Sequence, residues 1–188
     1  MKKTDNRVRY TKMVLQEALL RILQNKSIDK VTIKEICDEA EINRGTFYLH
    51  YTTPYDLLKE IENKFIEDNM VYFSAYMQNE YERSHLEGMY ECILKNRELC
   101  RVLMGKNGDP QMLRSLKAMM RQGVIDGWQT EFPHYNREKL GFVYDFVFAG
   151  AMSVILDWLE DESIVSIDDL ARRLDRLGHY CHLAIKEF

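Results

Sequence analysis

Proline and glycine are scarce in this sequence: three prolines and nine glycines among 188 residues leave few points at which a helix has to stop. That scarcity, with a 46% hydrophobic content sufficient for one or two modest cores, points to an all-α fold. Cys37, Cys92, Cys100 and Cys181 include no CxxC pair, so reduced thiols are expected rather than a thiolate metal site. No secretory leader pattern is present, and a cytoplasmic location is expected. No nucleophile stands beside a base, no paired acids flank a glycine-bearing cleft, and no cofactor fingerprint occurs. Catalytic residues and cofactors are therefore not expected. Gly105-Lys106-Asn107-Gly108-Asp109-Pro110 lacks the full phosphate-loop spacing and reads as a turn. His179 and His182 are three apart without a third ligand, so no metal is expected and both read as surface or interface histidines.

Charge is present but unevenly placed. The net charge of −4 divides into +3 over residues 1–54 and −7 over residues 55–188. A basic N-terminal third and an acidic remainder suit a chain that meets phosphate with one end only. Residues 140–159 carry only Asp145 and Asp157 as charges. In a lipid-spanning helix each Asp would cost about 2.5–3.5 kcal/mol at the bilayer centre, and the Glu160-Asp161-Glu162 run offers no basic anchor. A buried helix in a bundle is expected there, with no membrane partner.

The N-terminal third carries the most specific pattern. Thr32-Ile33-Lys34-Glu35 is a capping box, so a helix begins at Thr32 and runs to about Ala40 with Ile33, Ile36, Cys37 and Ala40 on one face. A three-residue turn with Ile42 follows, and Asn43 is a good cap for a second helix. Phe47 and Tyr51, four apart, face inward, which leaves Tyr48, Leu49 and His50 to point outward. A phenol and an imidazole can bond phosphate oxygens, and Leu49 can meet a thymine methyl. Gly45 inside a helix costs roughly 0.8–1.0 kcal/mol relative to Ala, and its missing side chain permits close approach of the backbone to DNA. A preceding stripe, Val14, Leu15, Ala18, Leu19, Ile22 and Leu23, forms a first helix behind a basic arm of Lys2, Lys3, Arg7 and Arg9.

Gly45-Thr46-Phe47-Tyr48-Leu49-His50-Tyr51, together with Val31 to Ala40 upstream and Asp56-Leu57-Leu58 downstream, resembles the tetracycline-repressor (TetR) family of bacterial regulators. The resemblance implies a three-helix helix-turn-helix domain over 1–53, and a connecting helix with a helical-bundle regulatory and dimerisation domain over 54–188. It implies that Thr32 contacts phosphate, that Arg44 and Gly45 approach bases, and that Thr46, Tyr48 and His50 hold the DNA backbone. The implied partners are a double-stranded palindromic operator and a second copy of the chain, with repression as the default mode. Pro54 stands where the family commonly has a phosphate-contacting Lys. Thr53-Pro54-Tyr55-Asp56 is a well-formed helix start, and its N-terminus is expected still to attract an anion.

From Pro54 a helix is expected to run unbroken toward residue 79. Ser84-His85-Leu86-Glu87 caps another that reaches Gly105, and further helices are expected from about Gln111 to Thr130, from Lys139 to Glu160, and after Ser166. Soft and aromatic residues, among them Tyr72, Met89, Met104, Met119, Trp128 and Phe146, are the candidates for an effector site. Asn96 to Gly105, Gly108-Asp109-Pro110, Gly150 and Trp158 resemble the regulatory domain of a Firmicutes subgroup of the same family, in which some members act with a protein coactivator. A small-molecule effector and a protein partner both stay open, as does a helical adaptor without DNA binding.

The apolar residues of Lys139–Glu160 wrap most of the helix circumference, more than one domain usually covers. A dimer interface is expected over Phe142, Gly150, Val154 and Trp158 and the stripe Leu170, Leu174, Leu177 and Cys181 of the last helix.

Overall fold

The computed structural model describes residues 2–77, 90–161 and 165–187. Every regular element among them is a helix. Two compact units divide the chain, one of Met1–Asp68 with Val102–Met112 and the other of Asn69–Arg101 with Leu113–Phe188.

In the first unit, α1 (Lys2–Leu23) packs on α2 (Ile33–Glu39) and on α4 (Pro54–Asp68), with α3 (Arg44–Tyr48) against α2. Leu15, Ala18, Leu19 and Leu23 of the predicted stripe are buried, with Val14 and Ile22 at its margins. They meet Ile36, Phe47, Leu57 and Leu58 in one core. Helix α1 already begins at Lys2, so the basic arm is a helical extension rather than a loose tail. The unit reaches past residue 53 because Leu57, Leu58, Ile61 and Phe65 give α4 its own buried face here. It also takes in the turn after α7 (Arg97–Met104): the Ile28 N–H donates to the Asn107 carbonyl at 3.1 Å, and Asn107 Nδ2 donates to the Gln24 carbonyl at 3.4 Å.

The second unit contains α5 (Met70–Met77), a helical stretch α6 over residues 90–95, most of α7, α8 (Pro110–Glu131), α9 (Arg137–Glu160) and α10 (Ile167–Ala184), closed by a 3-10 turn, Ile185–Glu187. The helix expected to run unbroken from Pro54 to 79 stops at Asn69. Asn69 is buried and its Oδ1 accepts from Cys92 Sγ at 3.1 Å and Asn96 Nδ2 at 3.2 Å. Asn96 in turn separates α6 from α7, where one helix was expected. An amide at each break, buried at Asn69 and half-buried at Asn96, is engaged by side-chain hydrogen bonds, which compete with continuation of the helix. The capping box at Ser84 and the effector candidate Met89 lie outside the described residues.

Asn136 caps α9 by accepting from the Lys139 N–H at 2.8 Å, and Ser166 caps α10 by accepting from the Asp169 N–H at 3.2 Å. Gly141 lets the Arg121 side chain of α8 lie against the α9 backbone, where a Cβ would collide with the guanidinium. Asp145 pairs with Lys117 at 3.0 Å and Arg121 at 3.4 Å, and Tyr144 Oη donates to the Lys117 carbonyl at 3.0 Å. Burial pushes the Cys92 thiol up to about 11 and that of Cys100 to about 12, so both stay protonated and unreactive.

Candidate nucleic-acid interface

The reading head is built from its caps inward. At α2, the Glu35 N–H donates to Thr32 Oγ1 at 3.3 Å, while Glu35 Oε2 accepts from the Thr32 N–H at 2.9 Å and from its hydroxyl at 2.8 Å. The expected capping box is therefore complete. Lys26 Nζ stands 2.6 Å from Glu35 Oε1. This bond, then those from Thr32, hold the Glu35 carboxyl down to about 2. The negative charge of Glu35 is thus matched by a lysine of the same unit.

Helix α2 ends in a full Schellman motif: the Ile42 N–H donates to the Cys37 carbonyl at 2.9 Å and the Glu41 N–H to the Asp38 carbonyl at 3.3 Å. Glu41 carries the left-handed conformation that this turn requires, with φ of 53°. The three-residue turn was readable in the sequence, but a glutamate in that conformation gives no compositional signal.

At α3, Asn43 Oδ1 accepts from the Gly45 N–H at 2.7 Å, as expected of a cap. A Cβ on residue 45 would stand 3.2 Å from that same oxygen. Gly45 therefore protects the cap as well as leaving the backbone open to a groove. Phe47 is fully buried and Tyr51 nearly so, their rings 5.7 Å apart, which anchors the short helix from beneath. Arg44 and Gly45 are exposed, as are Tyr48 at 59% and Leu49 at 78%, while Thr46 and His50 lie half-buried at the margin. Thr32 is exposed at the start of α2. Arg21 and Lys26 spend their charge on Glu39 and Glu35, at 2.6 Å each. Arg44 has no ion pair among the described residues and is available to a ligand.

At α4, Asp56 Oδ2 accepts from the Thr53 N–H at 2.8 Å and the Thr52 N–H at 3.0 Å, and Thr53 Oγ1 accepts from the Asp56 N–H at 3.2 Å. The carboxylate of Asp56 thus stands at the start of α4, where an anion is expected, and takes the amides of Thr52 and Thr53.

A second surface lies in the other unit. On α9, Phe142 is 65% exposed and Phe146 66%, with Ala149, Gly150, Ser153 and Val154 continuing the same stripe at helical spacing. On α10, Leu177, Tyr180 and Leu183 are exposed. Two expected interface residues do not belong to this surface. Trp158 is buried, with Nε1 donating to the Val165 carbonyl at 3.0 Å, and Leu170 is buried too, so both serve the unit's own core. Leu174 and Cys181 are half-buried. The effector candidates are likewise scattered: Phe146 faces outward, Trp128 is buried against His182, Met104 is buried in the first unit, and Tyr72 and Met119 are half-buried. His182, expected at a surface or an interface, is 4% exposed within its own unit.

Comparison with known proteins agrees with this geometry. Residues 15–61 match the model of bacterial regulatory proteins of the tetR family, and residues 82–180 match a transcriptional regulator C-terminal region of that family. The HTH-type transcriptional regulator YxbF of Bacillus subtilis strain 168 is 34% identical over 47 residues, 25% of this chain. The match spans only 12% of that relative's length. A TetR transcriptional regulator from Streptococcus agalactiae 2603V superposes with a TM-score of 0.67 at 19% identity, over 93% of this chain and 97% of that one. NalD, the secondary repressor of the MexAB-OprM multidrug efflux pump in Pseudomonas aeruginosa, gives 0.59 at 16% identity, over 91% and 97%. The chain belongs to the TetR family of bacterial regulatory proteins: it is a DNA-binding transcription regulator and not an enzyme.

Proposed function

We propose that this regulator is a cytoplasmic repressor that binds a palindromic operator as a homodimer and is released by a small-molecule effector. The observation that carries the reading is the outward face of α3, where Arg44, Gly45, Tyr48 and Leu49 are exposed above a buried Phe47. Arg44 is the base reader, since an early arginine of a recognition helix can present two donors to guanine. Thr32, Thr46, Tyr48 and His50 hold phosphates, and Leu49 meets a thymine methyl. The second copy covers the α9 and α10 stripes. Helix α9 is long and apolar enough to cross a membrane by length and composition. Asp145, paired to two cations of α8, and Asp157 on the outer face favour a protein partner over lipid. Repression follows the mode named for the similarly folded NalD. Effector control is supported by the soft side chains of α8, where Met112 and Met120 are buried and Met119 half-buried; release of operator on adding a candidate compound is its test.

The direct test is fluorescence anisotropy with a labelled duplex as salt is raised. The logarithm of affinity should fall linearly with the logarithm of salt, by about 0.9 for each phosphate held. A chain with no measurable duplex affinity at low salt removes the reading. Within that assay Arg44→Ala should relax base preference by roughly 1–3 kcal/mol. Tyr48→Phe should instead weaken all duplexes alike. Equal changes of preference in both variants would overturn the two roles.

A further inference from the structure

His182 is the buried ionisable group that neither the reading head nor the outward stripes account for. It sits on the inner side of α10, its ring centroid 5.3 Å from that of Trp128 and 5.0 Å from that of Phe132, both on the last turns of α8 or just beyond. Nε2 stands 2.9 Å from Glu131 Oε2. The charged groups that bear on it are Glu131 from α8, His179 from its own helix and Lys186 from the closing 3-10 turn. The Lys186 ammonium is also 5.8 Å above the Phe132 ring, and Tyr135 Oη donates to the Lys186 carbonyl at 3.2 Å. One imidazole thus joins the end of α8, α10 and the chain's last turn. Two aromatic rings exclude water from it, and the facing carboxylate of Glu131 is half-exposed, so its attraction for a cation is screened.

We propose that His182 is an acid-sensitive latch: neutral, it seats α10 against the end of α8, and protonated, it loosens α10 together with the outward stripe of Leu177, Tyr180 and Leu183. Burial first, then His179 and Lys186, hold the imidazole below its ordinary value of about 6.5, against the opposing pull of Glu131. The sign follows from that direction. A released histidine takes its proton near 6.5, whereas the seated one takes it only at lower pH. The seat is therefore at full strength above about 6.5 and weakens as pH falls through that value. The consequence for pairing rests on the dimer reading above; the latch itself does not.

The test uses the full-length chain and three measurements. Urea unfolding at pH 7.5 and 5.5 should show a loss in the folding constant of up to about tenfold, the largest effect one proton has across one pH unit. His182→Gln and His182→Phe should remove most of that loss, and His179→Gln should keep it. A wild-type pH dependence retained in both His182 variants overturns the latch. Should those variants fail to fold, the imidazole proton resonances of the wild-type chain still decide: a His182 signal that titrates at or above the ordinary value overturns it. Sedimentation then separates the two readings. A dimer constant about tenfold weaker at pH 5.5 in wild type but flat in His182→Gln supports coupling of latch to pairing. A moving latch with an unchanged dimer constant overturns the coupling, and a chain monomeric at every pH overturns the dimer while leaving the latch standing.

Discussion

A chain carrying Phe146→Glu and Leu177→Glu is expected to sediment as a folded monomer and to bind operator about 10²–10⁴-fold more weakly. Both side chains are more than three-fifths exposed, so neither substitution disturbs the core of its own unit. In the dimer each would place a carboxylate in an apolar face, where its desolvation is not repaid. The weakening reflects lost linkage: once one head is bound, a tethered second head meets its half-site at high effective concentration. Binding to a single half-site should change little, because α3 is intact. Sedimentation with anisotropy on full and half operators checks this; an undiminished dimer in the double variant would show that pairing uses another surface.

Gly108→Ala is expected to destabilise the first unit by about 2 kcal/mol, lowering Tm by about 4–8 °C. A Cβ at 108 would stand 2.8 Å from the Val102 carbonyl oxygen and closer still to that of Leu103. Both obstacles are backbone at the end of α7, which cannot rotate away. Gly150→Ala is the matched comparison. Nothing lies within 4 Å of its Cβ position, and the site is inside α9, so the change should add up to about 1 kcal/mol of helix stability when made in the monomeric double variant. Calorimetry on the two variants checks the opposite signs; a Gly108→Ala chain as stable as wild type would refute the packing of this turn.

The reading head was legible because each of its devices has a local signature. Thr32 with Glu35, Asn43 before Arg44, and Thr53 with Asp56 act within three residues, and the structure shows every one of these bonds. The second unit was less legible because its helices have apolar residues on two sides. On α10 Leu177 of the expected interface stripe is outward, but the helix turns Leu170 of the same stripe inward together with His182. A histidine at an inward position, four after Gly178 and three before Ile185, was a signal that composition alone passed over. Glu62 is the same case on α4. It follows Leu58 by four and precedes Phe65 by three, and it is fully buried with Lys59 at 3.2 Å. The breaks at Asn69 and Asn96 depend on a bond between residues far apart in sequence, which no local window contains.

The self-capped start of α4 bears on how this regulator responds to its ionic surroundings. With Pro54 in place of a lysine, and with Asp56 occupying the amides of Thr52 and Thr53, one contact per head that would displace a counterion is missing. Each such contact contributes about 0.9 to the steepness with which salt loosens a duplex complex. A regulator of this build is expected to lose less of its duplex affinity as salt rises than one with a lysine at position 54.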